Sequence, residues 1–285
     1  MAELRDSGFY NREYNARAMV PDHARYFERW AQLSARARGT MTCYLDREYG
    51  PAPGERLDFF PARKGDGSVL MFIHGGYWRS LDKTDFSWLA PAFIDAGVSL
   101  AVVNYDLCPK VTVEEIVRQM LRASSWLYLH AEEYGADCDR LHVAGHSAGG
   151  HLTAMMMCAL WPVLDARLPR DLFKGGLAIS GLYDLRPIAM ADFVNVDLRL
   201  DEAAALKVSP AFMPPATRAP VVTCAGGAES SEFRRQNAFL AERWRSAVVA
   251  DVAMPGHNHF SVVDELGNHA SALFAGARRM MKLDR

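Results

Sequence analysis

The sequence predicts an α/β protein with a mostly parallel central sheet and helices on both faces. Apolar runs of strand length alternate with longer helical segments along most of the 285 residues. Residues 69–73 are continuously apolar, as expected of a strand buried on both faces. A glycine-flanked serine, Ser147, stands between an apolar run and a helical segment. These three observations together indicate the fold class.

Length, composition and charge narrow the function classes. Half of the residues are hydrophobic, which is ample for one large core, so a single domain over residues 1–285 is predicted. The net charge is −2 and no basic tract is present, which argues against a nucleic-acid partner. The apolar stretches are too short or too interrupted for a transmembrane helix, so no membrane association is expected.

Cysteine usage and the amino terminus suggest a cytoplasmic protein. The amino terminus is charged and has no apolar signal region. The five cysteines are odd in number and lack C-x-x-C spacing, so we expect reduced thiols. The sequence contains no H-E-x-x-H motif, no zinc-like Cys/His cluster and no phosphate loop, so neither a metal nor a cofactor is predicted.

The predicted elements follow in order. Strands are expected at residues 57–60, 69–73, 98–104, 141–144, 176–180, 221–225 and 247–253. Helices are expected at residues 21–38, 84–96, 113–134, 151–160 and 231–244, with one more at the end of the chain.

Two regions lie outside this alternation. Residues 1–55 form an amino-terminal extension, for which simple packing is favoured over covering the rim of a site or forming a homodimer interface. Residues 183–215 contain four prolines and are interpreted as a lid-like insertion.

The G-x-S-x-G motif from Gly145 to Gly149 is typical of a nucleophile elbow. Its glycines permit strand and helix to approach closely around a strained turn. Ser147 would then lie at the carboxyl end of the sheet, and the N–H of Ala148 would face an oxyanion. The motif alone leaves open an incidental serine in a glycine-rich turn.

The loop His74-Gly75-Gly76-Tyr77-Trp78 follows the central strand directly. Two glycines allow the N–H groups of Gly75, Gly76 and Tyr77 to turn into one pocket, as the second half of an oxyanion hole. His74 is expected to brace this loop by hydrogen bonding, without transferring a proton. Tyr77 and Trp78 are predicted to line the substrate pocket, with core packing as the alternative.

A serine nucleophile needs a base, and the base needs an acid that orients it. In folds with this elbow the acid follows the serine and precedes the histidine. Glu229 is the first carboxylate after strand 221–225 and is the predicted acid. Glu232 falls inside the next helix, where we expect it to cap the helix or to be solvated, and Asp251 lies inside a strand.

Two histidines follow the last predicted strand. His259 directly precedes a helix that would hold it rigidly, so it is the predicted base. His257 is interpreted as a surface residue of the loop. His146 and His151 flank the serine and are candidates for substrate contact, but not for proton transfer.

With these residues, the chain resembles the α/β-hydrolase superfamily, specifically its hormone-sensitive-lipase-like branch and the kynurenine formamidase (arylformamidase) group. The resemblance rests on residues 74–78, 145–152, 229–236 and 259–260. The elbow and the glycine loop are specific for the superfamily, whereas the Tyr-Trp pair and the Glu-Phe-x-x-Gln run point to the group. One departure is Glu229, where many members carry aspartate.

The resemblance implies hydrolysis of N-formyl-L-kynurenine to L-kynurenine and formate, in tryptophan catabolism. It implies that Ser147 attacks the formyl carbon, that His259 transfers the protons, and that water releases formate from a formyl-enzyme. The aryl leaving group requires an aromatic wall. The candidates for this wall are Tyr77, Trp78, Tyr183 and Phe193. No basic residue can be singled out for the substrate's carboxylate.

Two other hypotheses about the function remain open. A carboxylesterase for short acyl esters would use the same triad, because leaving-group specificity depends on pocket shape. A non-catalytic protein that retains the fold would usually lack a triad member, and here Ser147, Glu229 and His259 are all present.

Overall fold

The computed structural model describes residues 5–283, and its centre is an eight-stranded sheet. The strands are β1 (Tyr44–Glu48), β2 (Arg56–Phe60), β3 (Val69–Ile73), β4 (Ser99–Val103), β5 (Leu141–His146), β6 (Phe173–Ile179), β7 (Val221–Gly226) and β8 (Val248–Met254).

Thirteen α-helices are found within residues 5–283. They are α1 (Ser7–Glu13), α2 (Ala16–Met19), α3 (His23–Thr40), α4 (Ala90–Asp95), α5 (Val113–His130), α6 (Ala148–Met157), α7 (Trp161–Leu164), α8 (Arg186–Ala189), α9 (Asp192–Leu198), α10 (Glu202–Lys207), α11 (Ser231–Arg243), α12 (Ser261–Asp264) and α13 (Ala272–Met280). Six short 3-10 helices add Lys83–Asp85, Ser87–Leu89, Ala131–Tyr134, Cys138–Arg140, Pro210–Phe212 and Glu265–Gly267.

The strand order is β1-β2-β4-β3-β5-β6-β7-β8. The first two strands run antiparallel to their neighbours, and all pairs from β4 to β8 are parallel. The apolar strand β3 lies between β4 and β5 and is buried along its whole length, because helices cover both faces. The predicted fold class is confirmed, and each of the seven predicted strands is present.

Two of the differences between the structure and the predicted elements have a clear cause. Strand β1 was not predicted, because all five of its residues are exposed and its polar sequence shows no alternation. The helix predicted over residues 84–96 is confirmed only in its second half. Asp82 caps the 3-10 helix Lys83–Asp85, and a second 3-10 turn precedes α4, which has Pro91 in its first turn, so only Ala90–Asp95 is α-helical.

The lid-like insertion lies between β6 and β7, where α8, α9 and α10 are all short. Hydrogen bonds connect it to the amino-terminal extension. The Asn11 amide and the Ser7 hydroxyl both donate to Asp192 at the start of α9. Across the chain from residue 5 to residue 283, no helix is both long and apolar enough to cross a membrane.

Candidate active site

Ser147 occupies a strained turn between β5 and α6. Its φ of 58° and ψ of −118° are rare for a residue with a side chain. The turn is tightly enclosed: a Cβ on Gly149 would lie 1.9 Å from the Ile73 carbonyl oxygen, and one on Gly145 would lie 2.2 Å from the Gly149 oxygen. Only glycine therefore fits at either position, as the motif predicts.

The loops after β5, β7 and β8 bring three predicted residues into contact. Ser147 Oγ lies 3.1 Å from His259 Nε2, and His259 Nδ1 lies 2.7 Å from Glu229 Oε2. All three residues are buried. The chain separates the serine from the histidine by 112 positions, so only the parallel sheet brings them together.

The Glu229 carboxylate is held by two further donors. Ser180 Oγ donates to Oε1 at 2.5 Å, and the Gly226 N–H donates to the same oxygen at 2.6 Å. The carboxylate side chain is fully enclosed, so these donors replace the water that would otherwise stabilise its charge. Ser180 was not predicted, although it directly follows β6, which neighbours β7 in the sheet.

His146 and Phe233 enclose the imidazole of His259. The Phe233 ring centroid lies 4.3 Å from that of His259, and the His146 ring lies 4.7 Å away. His146 Nε2–H donates to the His259 carbonyl at 2.8 Å. Burial, together with the neighbouring His259, holds the pKa of His146 well below its usual range. His146 is therefore neutral and positions the loop.

The glycine loop after β3 lies against the serine. A Cβ on Gly75 would be 2.9 Å from the His146 carbonyl oxygen and 3.1 Å from Ser147 Cβ. Gly76 and Tyr77 both have positive φ, which turns the backbone sharply. Within residues 5–283, no hydrogen bond uses the N–H of Gly76, Tyr77 or Ala148. These donors remain available beside Ser147.

His74 lies in the bracing position expected of it. Its ring is fully buried and stacks on Tyr105 at 4.2 Å, with Nδ1 2.8 Å from the Gly75 carbonyl oxygen and Nε2 3.1 Å from Asn104 Oδ1. Burial lowers the pKa of His74. The histidine is separated from the serine by the glycine loop it supports.

A cavity of about 300 Å³ opens in front of Ser147, at the lower end of the range for small-molecule sites. It is lined by Asn15, Ala16, Arg17, Phe27, Trp30, Gly76, Tyr77, Arg79, Ser80, Leu81, His146, Ser147, Phe193, His259 and Phe260. Of the four predicted aromatic wall residues, Tyr77 and Phe193 line it, with their rings 5.9 Å apart.

Trp78 and Tyr183 do not line this cavity, so the prediction for these two residues is corrected. Both are fully buried. The φ of 54° at Trp78 turns its ring away from the cavity and onto His151 at 5.0 Å. The Tyr183 ring folds back over Gly181, where a Cβ would lie 2.4 Å from its hydroxyl oxygen.

The amino-terminal extension forms part of the cavity wall, so the favoured interpretation of simple packing is wrong. It contributes Asn15, Arg17, Phe27 and Trp30. The Tyr77 hydroxyl fixes it to the glycine loop by donating to the Tyr14 carbonyl at 2.6 Å. Amphipathic periodicity could not distinguish a wall of a cavity from a packed surface.

The prediction that Glu232 caps the helix or is solvated is also wrong, because its side chain does not cap α11 and is buried. Its buried carboxylate accepts a hydrogen bond from the Tyr14 hydroxyl at 2.7 Å and pairs with Arg235. The cap of α11 is Ser230, whose Oγ accepts from the Phe233 N–H at 3.3 Å. Glu232 thus anchors the extension to the body of the protein.

Potential metal ligands lie away from the cavity. Among the described residues, one cluster has three such groups within 4.8 Å of one another: Asp137, Cys138 and Asp139. These neighbours in sequence are at least partly exposed, and none lines the cavity.

Comparisons with known proteins agree with this architecture. The BD-FAE family model matches residues 57–165. The chain is 31% identical to the kynurenine formamidase of Salmo salar, over 81% of this chain and 79% of that protein. A crystal structure from Silicibacter sp., described as a candidate thioesterase, is 31% identical with a TM-score of 0.82, covering 92% of this chain and 96% of that one. A Pyrobaculum calidifontis esterase shares the fold at 18% identity and a TM-score of 0.69, covering 90% and 92%.

The sheet order, the elbow and these neighbours define an enzyme of the α/β-hydrolase class. More particularly, the extent and identity of the match show that the chain belongs to the kynurenine formamidase family.

Proposed function

We propose that this hydrolase cleaves N-formyl-L-kynurenine to L-kynurenine and formate, with Ser147 as nucleophile, His259 as base and Glu229 as acid. The observation that carries the proposal is the continuous hydrogen-bonded chain from Ser147 through His259 to Glu229 at an aromatic-lined cavity. The relatives named kynurenine formamidase support the choice of substrate.

In each half of the reaction, one imidazole accepts a proton and then donates it. Nε2 of His259 accepts the proton of Ser147 as Oγ bonds to the formyl carbon, and the C–N bond then breaks as Nε2–H protonates the departing aryl amine. Water attacks the formyl-enzyme with the same base, which releases formate and restores the serine. Glu229 keeps Nδ1 protonated throughout and stabilises the imidazolium.

The negative charge on the formyl oxygen needs donors that are already in place. We assign this role to the backbone N–H groups of Gly75, Gly76, Tyr77 and Ala148. Ala148 is the first residue of α6, so the helix dipole also favours an anion there. Removal of one such donor typically costs about 10²–10³ in rate.

The cavity suits an aryl leaving group. Tyr77 and Phe193 meet edge to face, and Phe27, Trp30 and Phe260 complete an aromatic lining. Formyl is the smallest acyl group, so the acyl side of the site requires little room. We therefore assign Tyr77 and Phe193 to the aryl ring of the substrate.

A carboxylesterase is the second candidate. It is favoured by the esterases among the structural neighbours, which share the fold, and by the Silicibacter protein described as a candidate thioesterase. The same three residues would cleave short acyl esters. Location in the cytoplasm and a homodimer remain predictions, and light scattering of the purified protein tests the second.

The experiment that separates the two activities compares kcat/KM on N-formyl-L-kynurenine with kcat/KM on p-nitrophenyl acetate and butyrate, with Ser147→Ala as the blank. A value near 10⁵ M⁻¹s⁻¹ or above on formylkynurenine, about the range of dedicated enzymes, with weak ester turnover supports the formamidase. Strong ester turnover with negligible formamide cleavage supports the esterase. Full activity in Ser147→Ala would overturn the triad itself.

A further inference from the structure

The lining of the cavity contains a guanidinium group that no carboxylate of the described residues neutralises. Two guanidinium groups, those of Arg17 and Arg79, line it, whereas none of its described lining residues is Asp or Glu. The acid of the site, Glu229, lies behind His259 and does not reach the cavity surface. A ligand with a carboxylate would therefore balance the charge of this space.

The two arginines differ in their partners. Arg79 is neutralised by Asp197, whose carboxylate lies 2.6 Å from Nη1, and the same nitrogen donates to the Phe193 carbonyl at 2.9 Å. Arg17 donates to Ser80 Oγ at 3.3 Å and lies 5.3 Å from the centroid of the Phe27 ring. Over residues 5–283, no carboxylate forms an ion pair with Arg17.

Several contacts place Arg17 at the mouth of the cavity. It belongs to α2, which Asn15 caps by accepting from the Ala18 N–H at 3.1 Å. The Tyr77 hydroxyl holds the preceding turn through the Tyr14 carbonyl. Partial loss of contact with water and the neighbouring Arg79 guanidinium lower the pKa of Arg17, although the group stays protonated at neutral pH.

We infer that Arg17 binds the carboxylate of the substrate and selects formamides whose aryl leaving group bears an α-carboxylate. This inference rests on the proposed function and names the contact that discriminates a formylated amino acid from a neutral ester. The aromatic lining lies along the same cavity as Ser147 and Arg17, so one molecule can place its formyl group at the serine and its carboxylate at the arginine.

Arg17 is a specificity residue in this scheme, because it contacts the carboxylate of the substrate and not the reacting bond. A guanidinium can donate two parallel hydrogen bonds to a carboxylate, and such charged bonds are stronger than neutral ones. The ion pair forms in both the ground state and the transition state, so its loss raises KM more than it lowers kcat. Because Arg17 is exposed, salt will weaken the interaction.

The test compares two substrates that differ only at the carboxylate: N-formyl-L-kynurenine and its α-carboxamide, which keeps the same α-amino group. Release of the aryl amine is followed for wild type, Arg17→Gln, Arg17→Lys and the control Arg25→Gln. Arg25 is exposed on α3 and does not line the cavity. The decisive quantity is the ratio of kcat/KM for the acid to kcat/KM for the amide.

For wild type we expect a ratio of roughly 10 or more, which is the effect of one charged hydrogen-bonded contact. The ratio should fall as salt is added. Arg17→Gln should bring the ratio close to one, mainly through KM. Arg17→Lys should retain part of it, and Arg25→Gln should match wild type.

Three results would overturn the inference, and they are distinguishable. A wild-type enzyme that cleaves both formamides equally well refutes the arginine contact and leaves the proposed function intact. Equal losses on both substrates in Arg17→Gln would show a structural role instead. If wild type cleaves neither formamide while Ser147-dependent ester turnover persists, the proposed function fails and this inference fails with it.

Discussion

Replacement of Glu229 by glutamine tests the acid of the triad with the least change of shape. The carboxylate accepts hydrogen bonds from Ser180, Gly226 and His259, at 2.5, 2.6 and 2.7 Å. The glutamine side chain has the same size, but an NH₂ group, which donates and does not accept, replaces one of the two carboxylate oxygens. If this NH₂ group faces His259, the imidazole must turn an unprotonated nitrogen towards it. If it faces Ser180 and Gly226, these buried donors lose their acceptor.

The magnitude can be worked from this geometry. At 2.7 Å, the attraction between a carboxylate and the imidazolium that forms in the reaction is about 6 kcal/mol for an effective dielectric constant of about 20. An Asp-to-Asn change in a Ser-His-Asp triad lowers kcat by about 10⁴, or roughly 5 kcal/mol. The two figures agree, so we expect Glu229→Gln to lower kcat by about 10⁴.

The assay is steady-state turnover of formylkynurenine and of p-nitrophenyl acetate, with thermal unfolding to verify that each variant is folded. Glu232→Gln is the matched control. It lies three positions away, is also buried, and keeps an acceptor for the Tyr14 hydroxyl. We expect its kcat to stay within about tenfold of wild type, since it does not touch His259.

Two outcomes would refute this reasoning. Near-normal turnover in a folded Glu229→Gln enzyme would show that the carboxylate does not act as the acid. Equal losses in both glutamine variants would show that they disturb the extension or the fold, and not the triad.

Three further predictions follow from individual contacts. Gly75→Ala should lower kcat by about 10²-fold or more while the protein stays folded, because the new methyl would lie 3.1 Å from Ser147 Cβ and disturb the oxyanion donors; unchanged kcat would contradict it. Tyr14→Phe should reduce the free energy of unfolding by about 1–3 kcal/mol in urea titrations, since Glu232 loses a buried donor, and a neutral effect would argue against that anchor. Burial lowers the pKa of His142 from 6.5 to about 4, so the unfolded chain binds a proton at this residue more readily than the folded chain. The free energy of unfolding should therefore fall by up to about 3 kcal/mol as the pH drops from about 6.5 to 4. Calorimetry of His142→Gln should show a shallower pH dependence than wild type, and an identical slope would refute this account.

The order in which the candidate catalytic residues occur along the chain could be predicted, because short local sequence patterns indicate it. A strained turn needs glycine on both sides of Ser147, and buried parallel strands read as short apolar runs. Once the strands are counted, the loops that follow β7 and β8 necessarily carry Glu229 and His259 to the same edge of the sheet. The catalytic roles of these residues await the variants described above.

Side-chain direction was less predictable than chain order. Trp78 stands next to Tyr77 in the sequence, yet one lies in the core and the other lines the cavity. The cause is a pair of left-handed backbone conformations, with φ of 51° and 54°. Such conformations are unusual for residues with side chains, and the surrounding packing imposes them.

The sequence by itself therefore determined the fold class, the elbow and the order of the three candidate catalytic residues, since each depends on periodicity or on a short motif. The tertiary structure decided which groups surround them. Ser180 reaches Glu229 across 49 positions, and Tyr14 reaches Glu232 across 218. Contacts of this kind depend on how distant segments pack, and burial favours arrangements in which donors and acceptors find partners. For that reason Arg17 stood out only once the extension was seen to form a wall of the cavity.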